Sequence, residues 1–194
     1  GNIIDALIAK HGNTVPAPSI LRAVLDGFGT IWPGRLSAKT ENGVVNLGDV
    51  WKHQGLGKLI PIHKLSQWMT YSLIEPMLDA GLDVTGVEGL TGLAEYRNGG
   101  LLVDMGLITL RDSAALTKSW QPSSDLVIEW RALTIHILDR IGREVQKALG
   151  KSAAEFPLAK VLEGGTWWAG RKIAKKKRPS SDPPIMIASD GTVF

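Results

Sequence analysis

Apolar residues recur at helical spacing along the first 30 positions. Ile3, Ile4, Leu7 and Ile8 share one face of residues 2–10 and stop before Gly12, which predicts a short amphipathic helix closed by glycine. Ile20, Leu21, Val24, Leu25 and Phe28 repeat the pattern after Pro16 and Pro18, with Gly29 behind them. Both segments read as scaffold. Over residues 29–57 the periodicity gives way to loop-like sequence, where Asn42-Gly43 between short apolar runs marks a hairpin turn. A loop of that length in a compact chain is uncommon and often functional.

Pro61 is expected to open a helix over residues 61–80, bent near Pro76 and closed by Gly81. Lys64, Gln67 and Tyr71 then form one polar stripe, with Ile62, Leu65, Met69 and Leu73 on another face. Such a stripe is ordinarily an exposed helix face. Here Ile60, Trp68 and Ile74 leave little of the helix obviously solvated. Further along, residues 112–118 predict a short helix, and Ser123 or Ser124 can cap the longest one, Asp125 to Leu149. Residues 126–138 are apolar nearly all round, as in a helix buried on most sides, and yet carry Glu129, Arg131 and His136. Residues 155–163 read as one more helix ending at Gly164-Gly165. Thr166 then caps a last one, which runs through Trp167 and Trp168 until Pro179 stops it. Two short apolar pieces in the tail predict a small β element. The expected fold is mainly α, in a single helical domain over residues 1–194.

The densest chemistry lies in Leu93-Ala94-Glu95-Tyr96-Arg97-Asn98-Gly99-Gly100-Leu101-Leu102-Val103-Asp104-Met105-Gly106, where six polar or glycine residues run straight into apolar sequence. Unpaired charge is costly inside a protein, so this stretch is either a structural ion-pair knot or a site. On a helix Glu95 and Gly99 share a face, which leaves room for a ligand beside the acid. The plain alternative is a surface pair between Arg97 and Asp104.

An apolar fraction of 44% and a charged fraction of 21% are those of a globular protein, and no uncharged apolar run is long enough to cross a membrane. The first residues lack the basic start and apolar core of a signal peptide, so the cytoplasm is the expected location. The net charge of +3 is local, because residues 171–178 alone hold six positive charges. Nucleic-acid binding is therefore argued against for the chain at large, while the basic run leaves a local route open. With no cysteine, no phosphate-cradling glycine loop and four scattered histidines, nothing points to thiolate chemistry, a nucleotide triphosphate, a dinucleotide, a metal or any other cofactor. The remaining candidates are carboxylates: Glu95, Asp104 and Glu129.

The segments Trp51-Lys52-His53, Leu59-Ile60-Pro61-Ile62-His63-Lys64-Leu65-Ser66-Gln67-Trp68, Leu90-Thr91-Gly92-Leu93-Ala94-Glu95-Tyr96-Arg97-Asn98-Gly99-Gly100 and Ser189-Asp190-Gly191-Thr192-Val193-Phe194 resemble a family of uncharacterised proteins. That family includes the fourth protein of the fungal uracil catabolic (URC) pathway. The likeness covers essentially the whole chain and corresponds to the family's C-terminal half, which implies an N-terminal portion as a partner of this one. A more distant resemblance is to the queuosine salvage proteins, N-glycosylases of nucleosides or nucleotides whose helical fold is related to the helix-hairpin-helix DNA glycosylases. Their Lys-Arg-Ala-Gln, Asp-Tyr-Arg-Val-Pro-Gln and Glu-Ile-Arg-Ala segments fall in order where Lys64-Leu65-Ser66-Gln67, Glu95-Tyr96-Arg97-Asn98-Gly99-Gly100 and Glu129-Trp130-Arg131-Ala132 stand here. The aspartate that faces the ribose in that family is Glu95 in this chain, and the Pro-Gln pair is absent.

These resemblances imply an N-ribosyl hydrolase acting on a small nucleoside- or nucleotide-like molecule, such as ribosylurea or its phosphate. Glu95 would be the catalytic carboxylate. Lys64, Gln67, Tyr71, Tyr96, Arg97, Asn98, Gly99 and Gly100 would meet the substrate, the glycines by letting it approach the backbone. Asp104, Glu129 and Arg131 would support that wall. Two other readings stay open, a non-catalytic partner in the pathway and a nucleic-acid-binding helical module.

Overall fold

A computed structural model describes residues 1–188 of the 194, so the Ser189-to-Phe194 motif lies outside the described residues. In order the elements are α1 (Asn2–His11), β1 (Thr14–Pro16), α2 (Ala17–Phe28), β2 (Ser37–Thr40), β3 (Gly43–Asn46), β4 (Val50–His53), β5 (Lys58–Pro61), α3 (Lys64–Asp79) and β6 (Asp83–Thr85). They continue with α4 (Tyr96–Asp104), β7 (Ser119–Trp120), α5 (Asp125–Leu149), α6 (Leu158–Lys160), α7 (Trp168–Lys177) and β8 (Met186–Ile187). The protein is mainly helical with four two-stranded sheets among the described residues. No described helix is long and apolar enough to cross a membrane.

The chain divides into two compact units interleaved in sequence. One comprises Gly1–Val50 and His63–Thr91, the other Trp51–Ile62 and Gly92–Phe194.

In the first unit α1, α2 and α3 bury Leu7, Ile20 and Met77, together with Val15 and Leu82. Gly12, at φ 68°, ends α1 in a backbone conformation that L side chains rarely adopt, as its position in the sequence predicts. Pro18 sits in the first turn of α2, where its missing N–H costs nothing. β1 pairs in parallel with β6, Val15 opposite Val84. The expected hairpin forms as β2–β3, with Thr40 opposite Gly43 and Glu41-Asn42 at the tip.

Where helix α3 begins is a correction. Pro61 closes strand β5 instead of opening the helix, which starts at Lys64 behind His63 in a left-handed conformation at φ 50°. The carboxylate of Asp49 accepts the Lys64 N–H at 3.0 Å and so caps the helix from a distance in sequence.

In the second unit α5 runs over the predicted 25 residues, with Ile128 and Trp130 in a core shared with Trp51, Ile62, Ala94 and Ile185. Strand β4, inside the segment read as loop, pairs with β5, which begins just beyond its end. The small β element of the tail pairs β8 in parallel with β7, Trp120 opposite Ile187. Gly164 and Gly165 do not end a helix. A π-helical segment, Val161–Trp167, carries the chain from α6 straight into α7, and the Thr166 hydroxyl donates to the Leu162 carbonyl at 3.2 Å. α7 packs on α4 so closely that a side chain at Gly170 would collide with the Arg97 carbonyl.

Candidate functional site

Glu95 is the N-cap of α4 rather than a residue of its interior. Its Oε2 accepts the Arg97 N–H at 2.7 Å, and its extended backbone turns the chain into the helix. A carboxylate is well placed there, since unpaired N–H groups give a helix N-terminus partial positive charge. The side chain is half-buried. Gly92, just upstream, is held by Asp139 Oδ1, which accepts its N–H at 2.6 Å. An added Cβ at Gly92 would lie 2.8 Å from the Leu138 Cβ, so the lead-in to the motif rests directly on α5. Burial pushes the Asp139 carboxyl up, against the pull of the Gly92 N–H and the Arg143 and His136 charges.

The rest of the motif divides sharply. Asn98 is buried, 2% exposed, and its Oδ1 has no hydrogen-bond partner among the described residues. Arg97 lies 4.8 Å from the centre of the Tyr96 ring, and its Nη1 donates to the Ser181 carbonyl at 2.6 Å. The glycines do not open a space for a ligand. A Cβ at Gly99 would fall 2.7 Å from Thr134 Oγ1 and 2.9 Å from Trp130 Nε1, and that indole N–H donates to the Gly99 carbonyl at 3.1 Å. At Gly100 the same atom would meet Pro184 Cδ at 3.1 Å. Both glycines exist here for close packing of α4 against α5 and the tail.

Asp104 is paired with Arg178 and not with Arg97. Two bonds, 2.8 and 2.5 Å, join the carboxylate to the guanidinium, and Lys177 donates to the Asp104 carbonyl. The last two charges of the basic run are thus structural.

Within the predicted buried half of α5, Arg131 is fully buried, whereas Glu129 and His136 are exposed. Glu129 Oε1 accepts from Nε2 of His53, a buried histidine on β4, at 2.9 Å. The other ring nitrogen, Nδ1, meets the Leu56 N–H at 3.1 Å and lies 3.4 Å from Asp125 Oδ2. Asp125 accepts the Gln54 and Gly55 N–H groups at 2.7 and 2.9 Å, and these bonds hold its carboxyl below the usual range. His53 and Asp125 escaped the sequence reading because nothing in periodicity pairs a hairpin turn with a helix start 70 residues away.

In the first unit the α3 stripe is not a solvated face. Lys64 and Gln67 are 8% and 9% exposed, Tyr71 is half-buried, and Trp68 points outward at 59%. The Tyr71 hydroxyl donates to the Thr91 carbonyl at 3.0 Å. Gln67 Oε1 has no hydrogen-bond partner among the described residues. His63, also missed, stands beside Asp49. Burial draws its pKa down, against the pull of that carboxylate. Among the described residues no cluster of three or more metal-ligating side chains exists.

A family model described as a protein of unknown function (DUF1688) matches residues 1–194. Protein urg3 of Schizosaccharomyces pombe (strain 972 / ATCC 24843) is 46% identical over 167 residues, which cover 84% of this chain and 41% of that protein. Uracil catabolism protein 4 of Lachancea kluyveri is 38% identical over 228 residues, covering 100% of this chain and 50% of that protein. The chain therefore spans about half the length, or less, of these relatives. No solved structure matches it. On the full-length family match and this identity, the chain belongs to the DUF1688 family.

Proposed function

We propose that this protein takes part in uracil catabolism as an N-ribosyl hydrolase, with Glu95 as the carboxylate that faces the reacting sugar. The observation that carries the reading is the α4 N-terminus, where a half-buried acid is held by the Arg97 N–H three residues before a buried Asn98 whose Oδ1 has no partner among the described residues. Buried amide oxygens normally have a donor, and a sugar hydroxyl or urea N–H would supply one. Gln67, in the first unit, is a second buried amide whose Oε1 has no partner among the described residues. The name of the Lachancea kluyveri relative supports the pathway. The ordered likeness to the queuosine salvage N-glycosylases supports the bond and a glycosylase-like helical fold.

Breaking an N-ribosyl bond builds oxocarbenium-like positive charge on the sugar. A fixed carboxylate beside the anomeric carbon stabilises that charge and orients the attacking water. The water oxygen bonds to the anomeric carbon as the carbon–nitrogen bond breaks, one water proton is lost to a base and the departing nitrogen gains one. In uracil breakdown the matching substrate is a ribosylated ring-opened product, ribosylurea or its 5′-phosphate. The test is to incubate the protein with each compound and follow free urea together with the freed sugar, ribose from the nucleoside-like compound and ribose 5-phosphate from its phosphate. Release of both in equal amounts supports the proposal, and release from neither compound refutes it.

A further inference from the structure

Four cations of the basic run remain after Lys177 and Arg178 are committed to Asp104: Arg171, Lys172, Lys175 and Lys176 are all exposed. Together with the exposed Lys160 they form no ion pair among the described residues. Two of these cations sit against aromatic rings. The Arg171 guanidinium lies 5.0 Å from the Trp167 ring centre and 5.6 Å from that of Trp168, and the Lys160 ammonium is 5.9 Å from the Phe156 ring. Trp168 is 51% exposed at the start of α7, and on the helix it shares a face with Arg171, Lys172 and Lys175.

Phe156, Lys160 and Trp168 also border a groove of about 760 Å³, lined as well by Gly164, Gly165 and the carboxylate-bearing Glu163 of the π-helical segment. Lys160 is the one of these cations on the groove wall, and Arg171, Lys172 and Lys175 follow Trp168 along the adjoining face of α7. Aromatic rings thus stand beside a line of cations without ion pairs among the described residues, as a strand with unstacked bases and regularly spaced phosphates requires. A duplex would keep its base faces hidden from Trp168. A membrane surface would need an apolar helix face, and that side of α7 is spent inside the protein, with Gly170 and Ala174 buried.

We propose that this groove and the exposed face of α7 bind single-stranded nucleic acid, with bases stacked on Trp168 and Phe156 and phosphates on Arg171, Lys172, Lys175 and Lys160. The site is separate from Glu95 and does not depend on the hydrolase reading.

Fluorescence anisotropy of the full chain with labelled 12-nucleotide DNA and RNA strands tests it. With three to four phosphates neutralised, affinity should fall about 20- to 50-fold between 50 and 200 mM salt. Trp168→Ala should weaken binding by about 5- to 100-fold and leave the salt slope intact, because stacking carries no counterion release. The triple change Arg171→Ala, Lys172→Ala and Lys175→Ala should lower the slope by about 2. All four positions are exposed, and unchanged circular dichroism would show that the variants fold. No binding at 50 mM salt would overturn the proposal. Binding that these variants leave unchanged, or capture by phosphatidylserine vesicles in place of the strands, would overturn it equally.

Discussion

Arg178 and Asp104 face each other in a two-pronged ion pair, 2.8 and 2.5 Å, with the carboxylate side chain 4% exposed. The geometry ties the residue just after α7 to the end of α4, the helix that begins at Glu95. Losing one partner of a buried pair leaves the other charge desolvated, so Asp104→Ala should cost about 3 kcal/mol in urea unfolding. Arg178→Lys should recover only part of the loss, because an ammonium cannot make both bonds.

Gly99 gives a second packing test. An alanine there meets Thr134 and Trp130, both in α5 and both buried, so neither yields easily. Gly99→Ala should destabilise by about 1–3 kcal/mol through overpacking. A variant that unfolds at the wild-type urea concentration would show that α4 and α5 have room to separate.

Gln67 separates stability from function. Its Oε1 is buried without a partner among the described residues, so Gln67→Met, similar in volume, should leave stability unchanged or raise it by about 1 kcal/mol. If Gln67 meets substrate, the same variant should raise KM about tenfold. A lower melting temperature with an unchanged KM would give the residue a structural role instead.

His63 sets a pH dependence. Its folded pKa lies below the usual histidine value, so near pH 6 the unfolded chain holds more protons at this position than the folded protein does. Stability should therefore fall as pH drops through and below about 6.5. His63→Asn, which tolerates the left-handed backbone, should flatten this part of the urea midpoint–pH curve.

What could be read from the chain follows the range of the forces involved. α1, α2 and α5 emerged from apolar spacing and, for the first two, from Gly12 and Pro18, all local signals; Ser124 stands at the N-cap of α5, but its hydroxyl donates to the Gln121 carbonyl and caps nothing. Gly164-Gly165 misled because two glycines ordinarily stop a helix, whereas here the chain widens into a π-turn and continues. Strands β4 and β5 were hidden by Gly55 and Gly57 between them. The polar stripe of α3 shows the same limit at the candidate site, since spacing places Lys64, Gln67 and Tyr71 on one face and only tertiary packing decides whether that face is wet. Glu95 was legible as the motif's acid. Its role as a helix cap, and the filling of the space over Gly99 by Trp130, depended on where α4 begins and what lies beside it.

The proposed hydrolysis requires the Glu95 carboxylate to act on substrate as well as to cap α4. Glu95→Gln separates the two, because an amide oxygen can still accept the Arg97 N–H while the charge is gone. The decisive measurement is the rate of urea release from ribosylurea and from its 5′-phosphate by the wild type and by Glu95→Gln, with melting temperatures taken on the same samples. A catalytic Glu95 should give a loss of at least about 100-fold in kcat, within the range set by removing one electrostatic group from a transition state, at a nearly unchanged melting temperature. Equal rates for the two proteins, or a loss that only tracks unfolding, would leave Glu95 as a helix cap alone and refute its catalytic role.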